Sequence, residues 1–235
     1  MWPHIKRLLH WGPLLALSIT KCITLTTLYL TGMWLPPSHS WLAFANHIVF
    51  LAMVGVTLYN FFCAVLIGPG YLPLQWVPND KRNTRYLQYC QICDGYKAPR
   101  SHHCRKCNRC VLKMDHHCPW INNCCGHFNH FYFVCFLFYS VLGSMHSLFL
   151  LVSALYRAYY ALKIILRNKT SVEEWIVAKA ESRDRNDNFE YPYDLGKWEN
   201  FKQVFFLMPG NGIDWPLVDG CNDYTLTVSS KTENN

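Results

Sequence analysis

Charged residues are scarce in this sequence of 235 residues. Asp, Glu, Lys and Arg make up 16% of it and hydrophobic residues 51%, whereas an ordinary soluble domain has about 25% charged residues. Internal repeats and low-complexity tracts are also lacking, which argues against a repeat protein or a disordered chain. The composition therefore disfavours a single soluble globule and indicates a membrane protein.

Three long apolar stretches predict membrane-spanning helices. They cover residues 11–35, 41–67 and 130–155, and each exceeds the roughly 20 residues that a helix needs to cross a bilayer. The third contains no Asp, Glu, Lys or Arg, whereas Lys21 interrupts the first. A cleaved signal peptide is the alternative interpretation of the first stretch, but the stretch is long and shows no small-residue cleavage site.

The uneven distribution of basic residues predicts the orientation in the membrane. Residues 81–113 hold nine Lys and Arg against one acid, whereas residues 156–235 hold ten against twelve Asp and Glu. Because basic segments stay on the cytosolic side, residues 1–10 and 68–129 should face the cytosol. There the basic block would contact anionic lipid, or attract an anionic ligand such as coenzyme A. Nucleic acid is not expected as a partner.

Cysteine and histidine are concentrated between residues 90 and 130, which hold eight of the twelve cysteines and six histidines. Such density indicates disulfides or metal, and the histidines favour zinc in a reducing compartment. Since neighbours in an extended segment point to opposite sides, His103 and Cys104 should bind different zinc ions, so that two four-ligand sites interleave. The pattern reads Cys90-x2-Cys93-x9-His103-Cys104-x2-Cys107-x2-Cys110-x4-Asp115-His116-His117-Cys118-x5-Cys124.

The same alternation leaves one thiol and one imidazole without a zinc ion. His117 should face a metal, whereas His116 and Cys118 should share the other side of the segment. A thiol beside an imidazole is an activated nucleophile, and Asp115 could orient that imidazole. A purely structural zinc module is the alternative interpretation of the cluster.

The sequence Asp-His-His-Cys at residues 115–118 resembles the DHHC cysteine-rich domain of protein palmitoyltransferases, and the likeness covers about residues 86–133. The likeness is strongest to the endoplasmic-reticulum branch of the family. That branch carries a C-terminal SH3-like domain, which we do not expect here. Four further segments resemble motifs of the family. They are Pro119-Trp120-Ile121-Asn122-Asn123-Cys124 with Gly126, Asn129 and Phe133; Gly68-Pro69-Gly70, with Gly68 in place of Asp; Thr170-Ser171-Val172-Glu173; and Tyr191 to Phe205 with Asn200.

The resemblance implies a mainly α fold: a polytopic helical membrane protein with a small cytosolic zinc-stabilised domain of short strands and loops, in the endoplasmic reticulum. It implies transfer of palmitate from palmitoyl-CoA to cysteines of membrane-associated proteins, through a thioester on Cys118, with His116 as base and Asp115 as its partner. Two structural zinc ions are implied, one held by Cys90, Cys93, His103 and Cys110, the other by Cys104, Cys107, His117 and Cys124.

The sequence departs from the family in its number of spans. Family members have four or more, and only 41 positions separate Asn129 from Thr170, whereas two spans and a turn need at least about 45–50 residues. We interpret the segment as an internal deletion that joins span three to the end of span four, residues 162–167. The alternative functions are a catalytically impaired form and a membrane-anchored zinc scaffold of the RING type, although a RING needs no free thiol beside a histidine.

With this deletion, the side of the membrane on which the tail, residues 156–235, lies depends on whether the number of membrane crossings is odd or even. Three crossings would place it in the lumen, whereas the basic residues that follow the third span are typical of the cytosolic side. We favour the lumen, because residues 130–155 carry no charge. Within the tail, Thr170 and Glu173 also form a helix-capping pattern, and a helix is expected at about Ser171 to Lys179.

Overall fold

The computed structural model describes residues 5–183, 191–206 and 212–222, without the side chains of residues 179–183. It confirms a mainly helical protein with a small Cys-rich domain of short strands. The helices are α1 (Trp11–Trp34), α2 (Trp41–Leu66), α3 (His130–Leu166), α4 (Ser171–Arg183) and α5 (Lys197–Phe205), with a 3-10 helix at Lys81–Tyr86. The strands are β1 (Tyr89–Cys90), β2 (Gly95–Tyr96), β3 (His102–Cys104), β4 (Arg109–Val111), β5 (His116–Cys118) and β6 (Asn123–Cys125).

Within the described residues, three helices are long and apolar enough to cross a membrane: α1, α2 and α3. Helix α2 begins after Ser40, whose hydroxyl accepts a hydrogen bond from the Ala43 amide at 3.1 Å, as a helix N-cap does. The buried hydroxyls of Thr27 and Ser147 lie 2.6 Å apart and join α1 to α3. Such interhelical hydrogen bonds stabilise helix pairs where water is absent.

Helix α3 is one continuous helix of 37 residues. At about 1.5 Å per residue such a helix is roughly 55 Å long, well beyond the roughly 30 Å of a hydrocarbon core. It contains the expected third span, residues 130–155, and continues through most of the segment 162–167 that resembles the end of a fourth span. The expected third span and most of residues 162–167 therefore form a single helix.

The Cys-rich domain consists of three antiparallel hairpins, β1–β2, β3–β4 and β5–β6. The residue just before the second strand of each hairpin is Asp94, Asn108 or Asn122, with φ of 52°, 52° and 46°. Asp and Asn tolerate this left-handed conformation better than other non-glycine residues. The three turns are thus encoded locally in the sequence.

The described residues from Leu155 onward form a second compact unit. Helix α4 begins with a reciprocal cap: the Thr170 amide donates to Glu173 Oε2 at 2.7 Å, and the Glu173 amide donates to Thr170 Oγ1 at 3.2 Å. The predicted capping role is therefore confirmed. Asn200 is buried at the start of α5, where its amide donates to the Leu166 carbonyl at 2.9 Å and its oxygen accepts from the Leu195 amide at 3.0 Å.

Candidate functional site

The first hairpins bring four zinc-type ligands together. Their ligand atoms, from Cys90, Cys93, His103 and Cys110, all lie within 4.8 Å of one another. The three sulfurs lie 3.4 to 3.9 Å from His103 Nδ1. A tetrahedral zinc ion, with bonds of about 2.3 Å to sulfur and 2.0 Å to nitrogen, would separate these atoms by about 3.5 Å. The residues present therefore fit zinc.

A second group of the same chemistry interleaves with the first. It comprises Cys104, Cys107, His117 and Cys124. The sulfurs lie 3.5 to 3.7 Å from His117 Nδ1, which fits zinc equally well. His103 and Cys104 are neighbours in β3 and enter different groups, as the alternation of an extended segment requires. Each site has four protein ligands and no open position, which is typical of structural zinc.

His116 and Cys118 lie outside both zinc sites, on the strand that contributes His117. His116 Nδ1 lies 2.7 Å from Asp115 Oδ2, and this hydrogen bond holds the pKa of the Asp115 carboxyl below its ordinary value. The carboxylate therefore fixes the direction of the ring. The opposite edge of His116 faces inward, where the ring lies edge-on to Phe133 with centroids 5.3 Å apart.

The inward nitrogen of His116 meets a sulfur that sequence reasoning did not assign to the site. His116 Nε2 lies 3.8 Å from Cys125 Sγ, because the hairpin register places Cys125 directly opposite His116. A directly opposed cross-strand pair is closer than residues two apart on one strand. In the described structure the ring therefore contacts Cys125 rather than Cys118. The four-residue turn of the hairpin is the sequence signal that could have revealed this pairing.

Cys118 is 4% exposed and lies in an apolar cluster where the three membrane-type helices meet the Cys-rich domain. Helix α1 and the segment before it, helix α2 and helix α3 all contribute to this surface. The buried members are Phe61, Ala64, Val65, Cys118, Ile121, Cys125 and Phe133, with Leu8, Ala16, Leu17, Phe62, Tyr132 and Phe136 packed against them.

Two buried asparagines hydrogen-bond the β5–β6 hairpin to the end of α2. Asn123 lies opposite Cys118 in the β5–β6 ladder, and its amide lies 2.9 Å from the Ile67 carbonyl and 3.2 Å from that of Ala64. The Asn129 amide donates to the same Ala64 carbonyl at 3.1 Å. The last carbonyls of a helix have no partner within the helix, so these amides satisfy them. Sequence reasoning assigned no role to either side chain.

A basic cleft of about 240 Å³ opens beside Asp115. Arg100 and Lys113 supply its positive charge, and His102 and His130 complete its polar lining. Both cations belong to the basic block for which the sequence predicts the cytosolic side. The cleft can accept an anionic group next to the Asp115–His116 pair, since opposite charge in a cleft attracts such ligands.

Comparison with known proteins gives a consistent set of relatives. Residues 83–173 match the family model described as DHHC palmitoyltransferase. Palmitoyltransferase ZDHHC6 of Bos taurus and that of Homo sapiens are each 39% identical over 287 positions, which cover 95% of this chain and 70% of the relative. Probable protein S-acyltransferase 16 of Arabidopsis thaliana is 35% identical over 217 positions, which cover 73% of this chain and 75% of the relative.

The alignments with the bovine and human relatives extend over more positions than this chain has residues. The alignment with the bovine relative spans 287 positions, whereas this chain has 235 residues. At least 52 positions of the relative therefore have no counterpart here. A membrane span with a connecting loop needs a segment of about this size.

Proposed function

Because this chain belongs to the DHHC palmitoyltransferase family, we propose that it is a membrane-embedded protein S-acyltransferase whose acyl carrier is Cys118. The single observation that carries the assignment is the place of Cys118: outside both zinc sites, yet in the apolar cluster where the membrane-type helices meet the Cys-rich domain. A sulfur in that place can receive an acyl chain from the membrane side.

The proposed chemistry has two thioester exchanges. Cys118 Sγ attacks the carbonyl carbon of palmitoyl-CoA, the bond from that carbon to the coenzyme A sulfur breaks, and coenzyme A leaves as a thiol. A cysteine thiol of the protein substrate then attacks the Cys118 thioester, and Cys118 returns to its free form. His116 would take the proton from each attacking thiol and pass it to the departing sulfur.

The Asp115–His116 hydrogen bond supports this role, because it directs the inward nitrogen of the ring into the hairpin, toward Cys125 Sγ. Base and nucleophile contacts are often long before substrate binds and tighten in the complex. Burial raises the pKa of Cys125 to about 12, so Cys125 stays protonated at neutral pH, and a protonated thiol is a weak nucleophile. The contact between His116 and Cys125 would therefore orient the ring without making Cys125 the carrier.

The donor and the location belong to the same proposal. The phosphates of palmitoyl-CoA would enter the cleft lined by Arg100 and Lys113, while the acyl chain follows the apolar cluster into the membrane. The Cys-rich domain would face the cytosol in the endoplasmic reticulum membrane, because its basic block favours that side. Its substrates would then be membrane-associated proteins with cytosolic cysteines near the bilayer surface.

Incubation of the purified full chain with radiolabelled palmitoyl-CoA tests the proposal. We expect label that hydroxylamine removes, as it does from thioesters. Cys118→Ser should abolish the label, whereas Cys22→Ser, which changes an exposed cysteine of α1, should leave it unchanged. Label of equal amount on the Cys118→Ser protein would overturn the assignment.

We further propose that this form transfers acyl groups less efficiently than its longer relatives. At least 52 positions of the bovine relative have no counterpart here, and α3 occupies a segment in which the family has two spans. The cavity for the acyl chain would then lack one wall. Transfer to a substrate protein by this chain and by the bovine relative should differ about tenfold or more, whereas equal rates would contradict the proposed impairment.

A further inference from the structure

The first turn of α1 touches the backbone that follows Cys118. Gly12 is buried, and a Cβ atom added to it would overlap the Pro119 carbonyl oxygen, 2.7 Å from the carbonyl carbon and 3.2 Å from the Trp120 Cα atom. Pro119 directly follows Cys118. No side chain therefore separates the helix from the turn of the β5–β6 hairpin.

Arg7, which precedes Gly12, ties the same turn to the end of α2. The Asn122 amide donates to the Arg7 carbonyl at 3.4 Å. The Arg7 guanidinium donates to the Val65 carbonyl and to the Tyr71 hydroxyl, each at 3.3 Å. The amino-terminal segment thus bridges the hairpin turn and the helix to which the hairpin is fastened.

The segment also contacts the apolar cluster around Cys118 from the membrane side. Leu8 precedes the helix, and Ala16 and Leu17 follow Gly12 by about one turn; all three pack against that cluster. The start of α1 therefore meets both the turn after Cys118 and the side chains around it. A membrane anchor alone would need neither contact.

We propose that Gly12 is a positioning residue, and that the close approach it permits fixes Cys118 in the geometry for acyl loading. The inference rests on the proposed function for the reaction that it aids. It assigns the residues from Arg7 to Gly12 to the loading machinery. The effect should appear in the rate of the covalent step, since small displacements of a reacting group cost rate even when binding is unchanged.

The matched pair Gly12→Ala and Gly32→Ala tests the proposal in the full chain. Both residues lie in α1, but a Cβ at Gly32 meets nothing within 4 Å. Alanine is favoured over glycine at open helix positions, so Gly32→Ala should behave as the parent. Gly12→Ala should slow loading of Cys118 by about tenfold to a hundredfold, with two zinc ions retained and little change in the KM for palmitoyl-CoA.

A second readout separates this inference from the proposed function. The rate at which iodoacetamide alkylates Cys118, followed by peptide mass spectrometry, reports the position of the thiol without any acyl transfer. If the parent fails to load acyl groups, the proposed function fails; if Gly12→Ala alters the alkylation rate severalfold and Gly32→Ala does not, the positioning role stands. Equal rates for both variants and the parent would overturn it.

A third variant keeps the test decisive if Gly12→Ala does not fold. Asn122→Gly removes the amide that contacts Arg7, and glycine accepts the φ of 46° at this position. Slower loading or severalfold altered alkylation with two zinc ions bound supports the proposal. If Asn122→Gly is loaded and alkylated as the parent is, and Gly12→Ala loses zinc, then Gly12 serves folding only and the proposal is overturned.

Discussion

Cys118 and Cys125 lie in one apolar cluster, but their surroundings differ. Cys125 is directly opposite His116 in the hairpin, whereas Cys118 is opposite Asn123 and next to the turn held by α1. We expect Cys125→Ala to retain the hydroxylamine-sensitive thioester, because Cys125 contacts the histidine without carrying the acyl group. Loss of the thioester in Cys125→Ala with zinc content unchanged would show that Cys125 is the carrier.

In the proposed mechanism Asp115 acts through His116. Its carboxylate fixes the ring at 2.7 Å and would stabilise the imidazolium that forms when a thiol gives up its proton. Asp115→Asn should therefore slow loading by about a hundredfold or more, while the zinc content stays at the parent value. Loading of acyl groups measured at fixed short times checks this prediction. Asp80→Asn, which changes an exposed carboxylate paired with Arg82, is the matched control. Similar rates in the two variants would contradict the role of Asp115.

The β5–β6 hairpin depends on Asn129 as well as on zinc. Its amide donates to the carbonyls of Ala64 and Cys124, and its oxygen accepts from the Gly126 amide. Asn129→Asp would put a carboxylate against those carbonyls, and each unsatisfied buried group costs about 1–3 kcal/mol. We expect a lower urea midpoint for unfolding of the Cys-rich domain, while the exposed Asn83→Asp control remains at the parent value. An unchanged midpoint in Asn129→Asp would contradict the role of Asn129 in attaching the hairpin to the end of α2.

Helix α4 should depend on its capping box. Thr170→Ala removes the hydroxyl that accepts from the Glu173 amide, at a cost of about 1 kcal/mol. Hydrogen exchange at the Glu173 amide should accelerate by roughly fivefold, which corresponds to that free energy, whereas Thr170→Ser retains an acceptor and should exchange nearly as the parent does. Equal acceleration in both variants would contradict the cap.

Short-range patterns predicted the zinc groups, and long-range packing explains what was missed. His103 and Cys104 could be separated from the sequence, because side chains alternate along any extended segment. The contact of His116 with Cys125 depends on hairpin register, which spacing alone did not reveal. The approach of Gly12 to Pro119 joins positions more than a hundred residues apart, and no local pattern encodes it.

At the scale of the whole molecule, the Cys-rich domain should exist only as a zinc-bound fold. The sites bind deprotonated cysteines, and their formation is coupled to folding. Elemental analysis should give close to two zinc ions per chain, one for each four-ligand group. Cys90→Ser should reduce the ratio and unfold the domain, whereas Cys22→Ser should change neither. A ratio of one zinc ion or fewer per chain in the parent would contradict the assignment of two zinc sites.

The number of crossings should decide where the tail lies. If α1, α2 and α3 all cross, a cytosolic Cys-rich domain places residues 156–235 in the lumen, so a glycosylation tag at the C-terminus should be modified. A chimera that restores the missing segment from the bovine relative should reverse this and leave the tag unmodified. Peptide mapping separates the tag from the natural acceptor sequence at Asn168. An unmodified tag in the parent chain would contradict three crossings.

The central claim is that Cys118 carries the acyl group, and locating the thioester on the chain tests it most directly. The full chain is incubated with palmitoyl-CoA, digested under conditions that preserve thioesters, and mapped by mass spectrometry. We predict palmitate on Cys118, absent after hydroxylamine treatment and absent from Asp115→Asn at short times. Palmitate found on Cys125 or another cysteine while Cys118 remains a free thiol would contradict the account.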